Sequence, residues 1–133
     1  MAYLKYKELT KYFYFRKRID IDSLPKYVTD YFEKGETVLA AFATTRDKGV
    51  FTEKKIILFD VKGLSVAKQI HIIPYSSIST IAILYRNYSA EILAYVDSGY
   101  PLNLKFVNLK AEDKTNLREL YMKISEKVCN KKK

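Results

Sequence analysis

Arg46-Asp47-Lys48-Gly49-Val50-Phe51-Thr52-Glu53-Lys54-Lys55-Ile56-Ile57-Leu58-Phe59-Asp60-Val61-Lys62-Gly63-Leu64 is the stretch whose reading decides the fold. Two apolar runs, 50–52 and Lys55–Val61, are split by the polar pair Glu53-Lys54. Arg46-Asp47-Lys48-Gly49 stands on one side and Lys62-Gly63 on the other, both with turn chemistry. Short runs rich in β-branched and aromatic residues, bounded in this way, read as strands joined by hairpins. Thr52-Glu53-Lys54-Lys55 then reads as a tight connection whose long polar side chains stay in water.

The same punctuation continues outward. Upstream, 36–45 is a strand of small and apolar residues. Downstream, 65–73 places Val66, Ile70 and Ile72 on one side. Pro74 has a fixed φ and no amide proton, so Pro74-Tyr75-Ser76 is predicted to break pairing and turn a corner. Tyr75 is expected to pack its ring and keep its hydroxyl at the edge. Ile78–Tyr85, 90–97 and 100–107 are three further strands, linked by Arg86-Asn87-Tyr88 and Ser98-Gly99. The total is seven strands.

Helices flank this sheet region. Over 111–128, Leu117, Leu120, Tyr121, Ile124 and Val128 make a one-sided apolar stripe opposite a charged face. Such a stripe needs an apolar surface, and the sheet is the only large one available. Over 22–34, Leu24, Tyr27, Val28, Tyr31 and Phe32 share a face, with Asp22 or Ser23 as cap, Pro25 in the first turn and Gly35 at the C-terminal stop. Residues 3–18 mix aromatics with positive charge. Tyr3, Tyr6, Leu9 and Tyr12/Phe13 fall at helical spacing, but Tyr12-Phe13-Tyr14-Phe15 breaks it, so a helix or an irregular arm fits.

A chain of 133 residues fits one domain. The expected organisation is a basic aromatic arm over 1–20, a domain over 21–128 and a basic tail over 129–133. No apolar run approaches the roughly 20 residues of a transmembrane helix. Lys5, Lys7, Glu8 and Lys11 interrupt any signal-peptide core. Cys129 is the single cysteine, which excludes an internal disulfide and fits a reducing cytoplasm. The net charge is +9, unevenly spread. Residues 1–20 carry six basic and two acidic groups, residues 127–133 carry four basic groups, and 21–126 carry 14 basic and 13 acidic. The middle is nearly neutral, whereas a nucleic-acid binder spreads charge over a face of the fold.

The residue pattern adds a resemblance. Arg46-Asp47, then Val50 to Asp60, then Gly63-Leu64 resemble the bacterial pleckstrin-homology (PH) family, which runs R-D, F-V-F-T-N-K-R-L-I-L-V-D and a G-L turn. Lys68 followed by Ile73-Pro74-Tyr75-Ser76-Ser77-Ile78 is similar to that family's lysine and S-I-P-Y-x-S-I element. Glu91-Ile92-Leu93 falls where the family has an E-L strand. The likeness covers about 22–128 and is strongest over 46–78. Glu53 and Lys55 depart from the family's Asn and Arg, its E-T-A-G segment is absent near Leu84-Tyr85-Arg86-Asn87, and the arm over 1–20 lies outside the common pattern. The resemblance implies a mainly β fold with α. It would be a PH-like seven-stranded antiparallel barrel or sandwich, capped by a C-terminal amphipathic helix and preceded by a short N-terminal helix. It implies cytoplasmic proteins of uncharacterised function that tend to assemble into oligomers, and no reaction.

Candidate sites follow. His71, the only histidine, lies between Ile70 and Ile72 and reads as an exposed strand residue. Cys129 reads as lying past the last helix, with no acid or histidine partner. There is no glycine-rich phosphate loop, and one His with one Cys makes no metal site. The expectation is a non-catalytic module without metal or cofactor. In lipid-binding PH domains basic residues of the first hairpin grip inositol phosphates, and the matching loops here offer Arg46, Lys48, Lys54 and Lys55, partly offset by Asp47 and Glu53. An anionic surface would meet Lys5, Lys7, Lys11, Arg16, Lys17, Arg18, Lys131, Lys132 and Lys133. Tyr12, Phe13, Tyr14 and Phe15 are candidate interface aromatics, and twelve tyrosines in the chain suit interfaces, because Tyr buries area and keeps a polar tip. Three readings stand: self-association or protein binding, peripheral attachment to anionic lipid at the inner face of the membrane, and a weak nucleic-acid contact that the near-neutral middle argues against.

Overall fold

In the computed structural model the described residues are 13–15, 17–44, 47–61, 68–97, 99 and 101–130. The chain divides into two units, Phe15–Pro74 and Tyr75–Lys133, the latter together with Met1–Tyr14. Each has its own antiparallel sheet.

The unit over Phe15–Pro74 holds five strands in sequential order: β2 (Lys17–Ile19), β3 (Val38–Ala43), β4 (Lys48–Thr52), β5 (Lys55–Val61) and β6 (Lys68–Pro74). Lys55 to Phe59 are all buried, so β5 is covered on both faces there rather than alternating, with Ile56 to Phe59 as its apolar run. Ile57 and Phe59 join Val28, Ala41 and Val50 in one cluster, with Ile19, Leu24, Tyr27, Phe32, Val38 and Ile70 packed against it. Phe15, Phe42 and Phe51 make a chain of rings, with centroids 6.1 Å and 5.8 Å apart.

The helix predicted over 22–34 is shorter and differently capped. A 3-10 turn spans Ile21–Ser23, and the side chain of Asp20, not of Asp22 or Ser23, accepts the Asp22 N–H. Leu24 is extended, as a residue before proline tends to be. α1 covers only Lys26–Thr29, beginning after Pro25. Its last residue, Thr29, and Asp30 to Phe32 after it are weak helix formers. Tyr31 and Phe32 instead donate to Val28 and Thr29 in tighter turns, at 3.1 Å each. Those turns keep the predicted apolar face: Tyr27 and Tyr31 set their rings 5.9 Å and 6.0 Å from Phe59. Gly35 caps no helix; its φ of +77° serves a turn in which Glu36 N–H donates to Glu33 at 3.0 Å.

Of the stretch read as a helix or irregular arm over 3–18, the described residues are strands: β1 (Phe13–Phe15) and β2 (Lys17–Ile19). Aromatic and β-branched residues suit a pleated surface better than a helix.

The second unit carries a four-stranded sheet in the order β1-β9-β8-β7, with β7 over Ile78–Tyr85, β8 over Ala90–Val96 and β9 over Pro101–Phe106. Pro74 ends β6 opposite Lys55, and a 3-10 turn over Tyr75–Ser77 makes the predicted corner, with Tyr75 buried. α2 spans Ala111–Cys129 and packs on β7 and on that turn. Its stripe of Leu117, Leu120, Ile124 and Val128 is buried as predicted. Cys129 is the last helical residue and exposed, rather than lying past the helix. The seven predicted strands are all present, and β1 and β2 are additional. No described helix is long and apolar enough to cross a membrane.

Candidate functional site

The connection at Thr52–Lys55 is not the wet turn its polarity suggests. Thr52 is fully buried, and its hydroxyl accepts the N–H groups of Lys54 and Lys55 at 3.1 Å each while donating to Glu36 Oε2. Lys55 reaches the other Glu36 oxygen at 2.9 Å, with side-chain exposures of 10% for the lysine and 0% for the carboxylate. Glu33 N–H donates to the same oxygen at 2.8 Å. Further out, Lys54 pairs with Glu33 at 2.8 Å. Glu53 closes the edge: its N–H donates to Thr37 O at 2.9 Å, and its carboxylate accepts Thr37 N–H.

This arrangement sets the electrostatics. Burial by itself would raise the Glu36 carboxyl, but the hydrogen bonds from Thr52, Lys55 and the Glu33 N–H outweigh it and hold the group below its ordinary range. The Lys54 hydrogen bond holds Glu33 low, and the same bond holds Lys54 high. Ion pairing offsets the cost of burial best when the remaining lone pairs are also used, and here Thr52 and the Glu33 N–H use those of Glu36. The two lysines are therefore occupied from within.

Lys48, at the start of β4, is likewise engaged. Its ammonium lies 3.0 Å from the Tyr27 hydroxyl and 5.5 Å from the ring centroid. Arg46 lies outside the described residues. Of the candidate ligand-loop cations, then, Lys48, Lys54 and Lys55 all spend their charge on groups of their own unit. Sequence reasoning missed Tyr27, Glu33 and Glu36. The available signal was two acids bracketing the Lys34-Gly35 turn, a charge match for the Lys54-Lys55 pair.

Lys17 and Arg18 on β2 are exposed, with Arg18 5.8 Å from the centre of the Phe42 ring. Lys5, Lys7, Lys11, Arg16, Lys131, Lys132, Lys133 and Tyr12 lie outside the described residues. Phe13 and Tyr14 contribute backbone to β1. Phe15 is 1% exposed and stands over Gly49, so this aromatic serves the core of its own chain.

His71 sits in β6 opposite Leu58 and is half-buried rather than exposed; burial pushes its pKa down and favours the neutral ring. Among the described residues no group of three or more His, Cys, Asp or Glu side chains could hold a metal. The second unit offers apolar surface instead. Leu84, Tyr85, Tyr88 and Tyr95 are 41%, 44%, 76% and 51% exposed. The β7–β8 turn carrying Tyr88 is held by α2 and the segment before it: Lys114 donates to the carbonyls of Arg86 and Asn87, and Leu109 N–H to that of Tyr88 at 2.9 Å.

Two antiparallel sheets, an amphipathic C-terminal helix and loop lysines held by internal acids and a tyrosine make up this small, mainly β fold. The sequence profile of the bacterial PH domain family matches residues 9–128, and the chain belongs to that family. The match begins at residue 9, so part of the stretch read as an arm outside the common pattern is within it. Over 51 residues the chain is 45% identical to the uncharacterized protein YjqA of Bacillus subtilis (strain 168), covering 38% of this chain and 41% of that protein. The chain thus matches less than half the length of this curated relative. A DUF1696 family protein with a pleckstrin-homology domain from Shewanella loihica PV-4 shares the fold at a TM-score of 0.67 and 22% identity, over 84% of this chain and 95% of that one. A PH domain from Shewanella amazonensis SB2B does so at 0.56 and 22%, over 77% and 85%. A PH-domain protein from Exiguobacterium sibiricum 255-15 does so at 0.62 and 17%, over 84% and 61%. PH domains are in general non-catalytic binding modules that engage proteins or lipids.

Proposed function

We propose that this chain is a non-catalytic assembly module that associates with further copies of itself or with a protein partner. The observation that carries this reading is a division of labour between its surfaces. The loop lysines that would grip a phosphate are held by Glu33, Glu36 and Tyr27, while Leu84, Tyr85 and Tyr95 stand exposed on the other sheet. Exposed aromatic and aliphatic groups gain from a partner that removes them from water, and tyrosine suits such a surface because it keeps its hydroxyl wet. Sedimentation velocity of the full chain across a micromolar dilution series is the test. The expected result is a concentration-dependent or stable oligomer; a strict monomer throughout would sink the self-association reading.

A second reading has an observation of its own: Lys17 and Arg18 are exposed side by side on β2, in a segment already rich in basic residues. Near an anionic leaflet each contributes about 1 kcal/mol. On this reading the protein sits in the cytoplasm at the inner face of the membrane. Flotation with phosphatidylserine vesicles at low and moderate salt tests it, using the Lys17→Glu/Arg18→Glu double variant. Charge reversal is preferable to deletion of 1–18, which would remove β1. Equal flotation of variant and parent removes β2 from the contact.

A further inference from the structure

Residues 20–36 connect β2 to β3, two strands that pair with each other. Neighbouring antiparallel strands are ordinarily joined by about two to five residues. This far longer connection folds back over one face of the sheet, where Val28, with Leu24, Tyr27 and Phe32 beside it, shares a cluster with Ala41, Val50, Ile57 and Phe59. Its main-chain hydrogen bonds close within itself, from Ser23 to Asp20 at one end to Glu36 to Glu33 at the other. The ladder between β2 and β3 uses only Lys17–Ile19 and Ala41–Ala43. The opposite face of the sheet has a core of its own. Side chains alternate along a strand, so Ile56 and Leu58 point away from the connection, opposite Phe51 and Gly49. Phe15, Phe42 and Phe51 are buried on that side with them. The connection can therefore leave its face without breaking a ladder or opening the second core.

We infer that residues 20–36 are a strap that lifts from the sheet as one unit, with Glu36 as the latch beside its hinge. This goes beyond the assembly reading and needs neither partner nor lipid. Thr37 is held by Glu53, so the fixed end lies there, and Gly35, at φ +77°, supplies the bend just before it. The Glu36 carboxylate takes Thr52 and Lys55 of the sheet and the Glu33 N–H of the strap at once, which staples the bend to the β4–β5 turn. Lys54 adds an outer tie to Glu33, and Lys48 holds Tyr27 midway along the strap. The charged groups that face this latch are Lys54, Lys55 and Glu53 from the β4–β5 turn and Glu33 from the strap itself. In acid an ammonium group keeps its charge while a carboxylate loses its own. Lys55 is then buried without its counter-charge, and lifting the strap returns it to water. The same motion uncovers the apolar row Ala41, Val50, Ile57 and Phe59.

Hydrogen–deuterium exchange of the full chain at pH 7 tests this. The amides of Val28 to Phe32, hydrogen-bonded inside the strap, report on it, and those of Ile56 to Phe59 report on the sheet. Glu36→Gln mimics the protonated latch. It should speed exchange of the strap amides by roughly tenfold or more and leave the sheet amides unchanged. The dye anilinonaphthalene sulfonate, which lights up on exposed apolar surface, should brighten with the same variant. Lys54→Met removes only the outer tie and should change strap exchange by less than about fivefold. Equal acceleration of both sets of amides overturns the inference, because strap and sheet then open together, and so does no change in either. Should Glu36→Gln fail to fold, exchange of the unaltered chain in rising, sub-denaturing urea decides. Strap amides with a weaker urea dependence than the sheet amides support the strap, and one common dependence for both overturns it.

Discussion

Gly49 is a glycine because a ring occupies the place of its side chain. A Cβ there would lie 2.5 Å from Phe15 Cζ and 3.0 Å from Cε1. Phe15 is fully buried and backed by Phe42, so it has nowhere to retreat. Gly49→Ala should cost about 1–3 kcal/mol in urea unfolding, the range for overpacking a close-fitted site. The lysines of the 52–55 turn should separate by burial. Lys55→Met leaves the buried Glu36 carboxylate uncompensated and should cost about 3–5 kcal/mol. Lys54→Met removes a half-exposed pair and should cost under about 1 kcal/mol. The same network sets an acid limit. Glu36 has a lower pKa folded than unfolded, so the unfolded chain binds its proton more readily. Its stabilisation is complete above the ordinary value of 4.5 and is lost as pH falls through the lower, folded value. Thermal melts from pH 7 to pH 3 should steepen in that window, and Glu36→Gln should flatten the acid limb. None of this was legible from the 46–64 stretch alone, since Glu36 meets Lys55 only after two strands have turned back.

At the scale of elements, periodicity carried most of the information. The α2 stripe was readable because 3.6-residue spacing persists from Leu117 to Val128, and the structure buries Leu117, Leu120, Ile124 and Val128. Leu120→Ala should cost about 2–5 kcal/mol, whereas Met122→Ala, on the exposed side, should stay within about 0.5 kcal/mol. Strand ends were legible to within a few residues because turn residues mark them. The α1 segment was legible as an apolar face but not as a helix length. Tight turns with i to i+3 hydrogen bonds present Tyr31 and Phe32 to Phe59 nearly as a helix would, so the pattern does not distinguish them. The N-terminal strands escaped for the opposite reason: three-residue strands are too short to show a period of two.

For the whole molecule, charge reads differently once pairing is known. The +9 total suggests an anion binder, yet the cations of the hairpin loops that the structure describes are internally neutralised or held on tyrosine. Titration calorimetry with inositol trisphosphate should therefore give no binding tighter than about 1 mM at physiological salt. Saturable micromolar binding would mean that Arg46 or the termini build a site that the paired lysines do not.

The strand order of the second sheet has a further consequence, in time rather than space. β1 is made before every other strand described here, yet its neighbour β9 is the last of them. Non-local pairings of this kind form slowly, because the intervening chain must be closed first. Throughout synthesis Phe13-Tyr14-Phe15 waits without its ladder partner, while the sequential meander β3 to β6 can already close. A chain that ends before residue 101 could thus pair β3 to β6 while β1 lacks β9, and incomplete chains of this kind are the ones most exposed to one another.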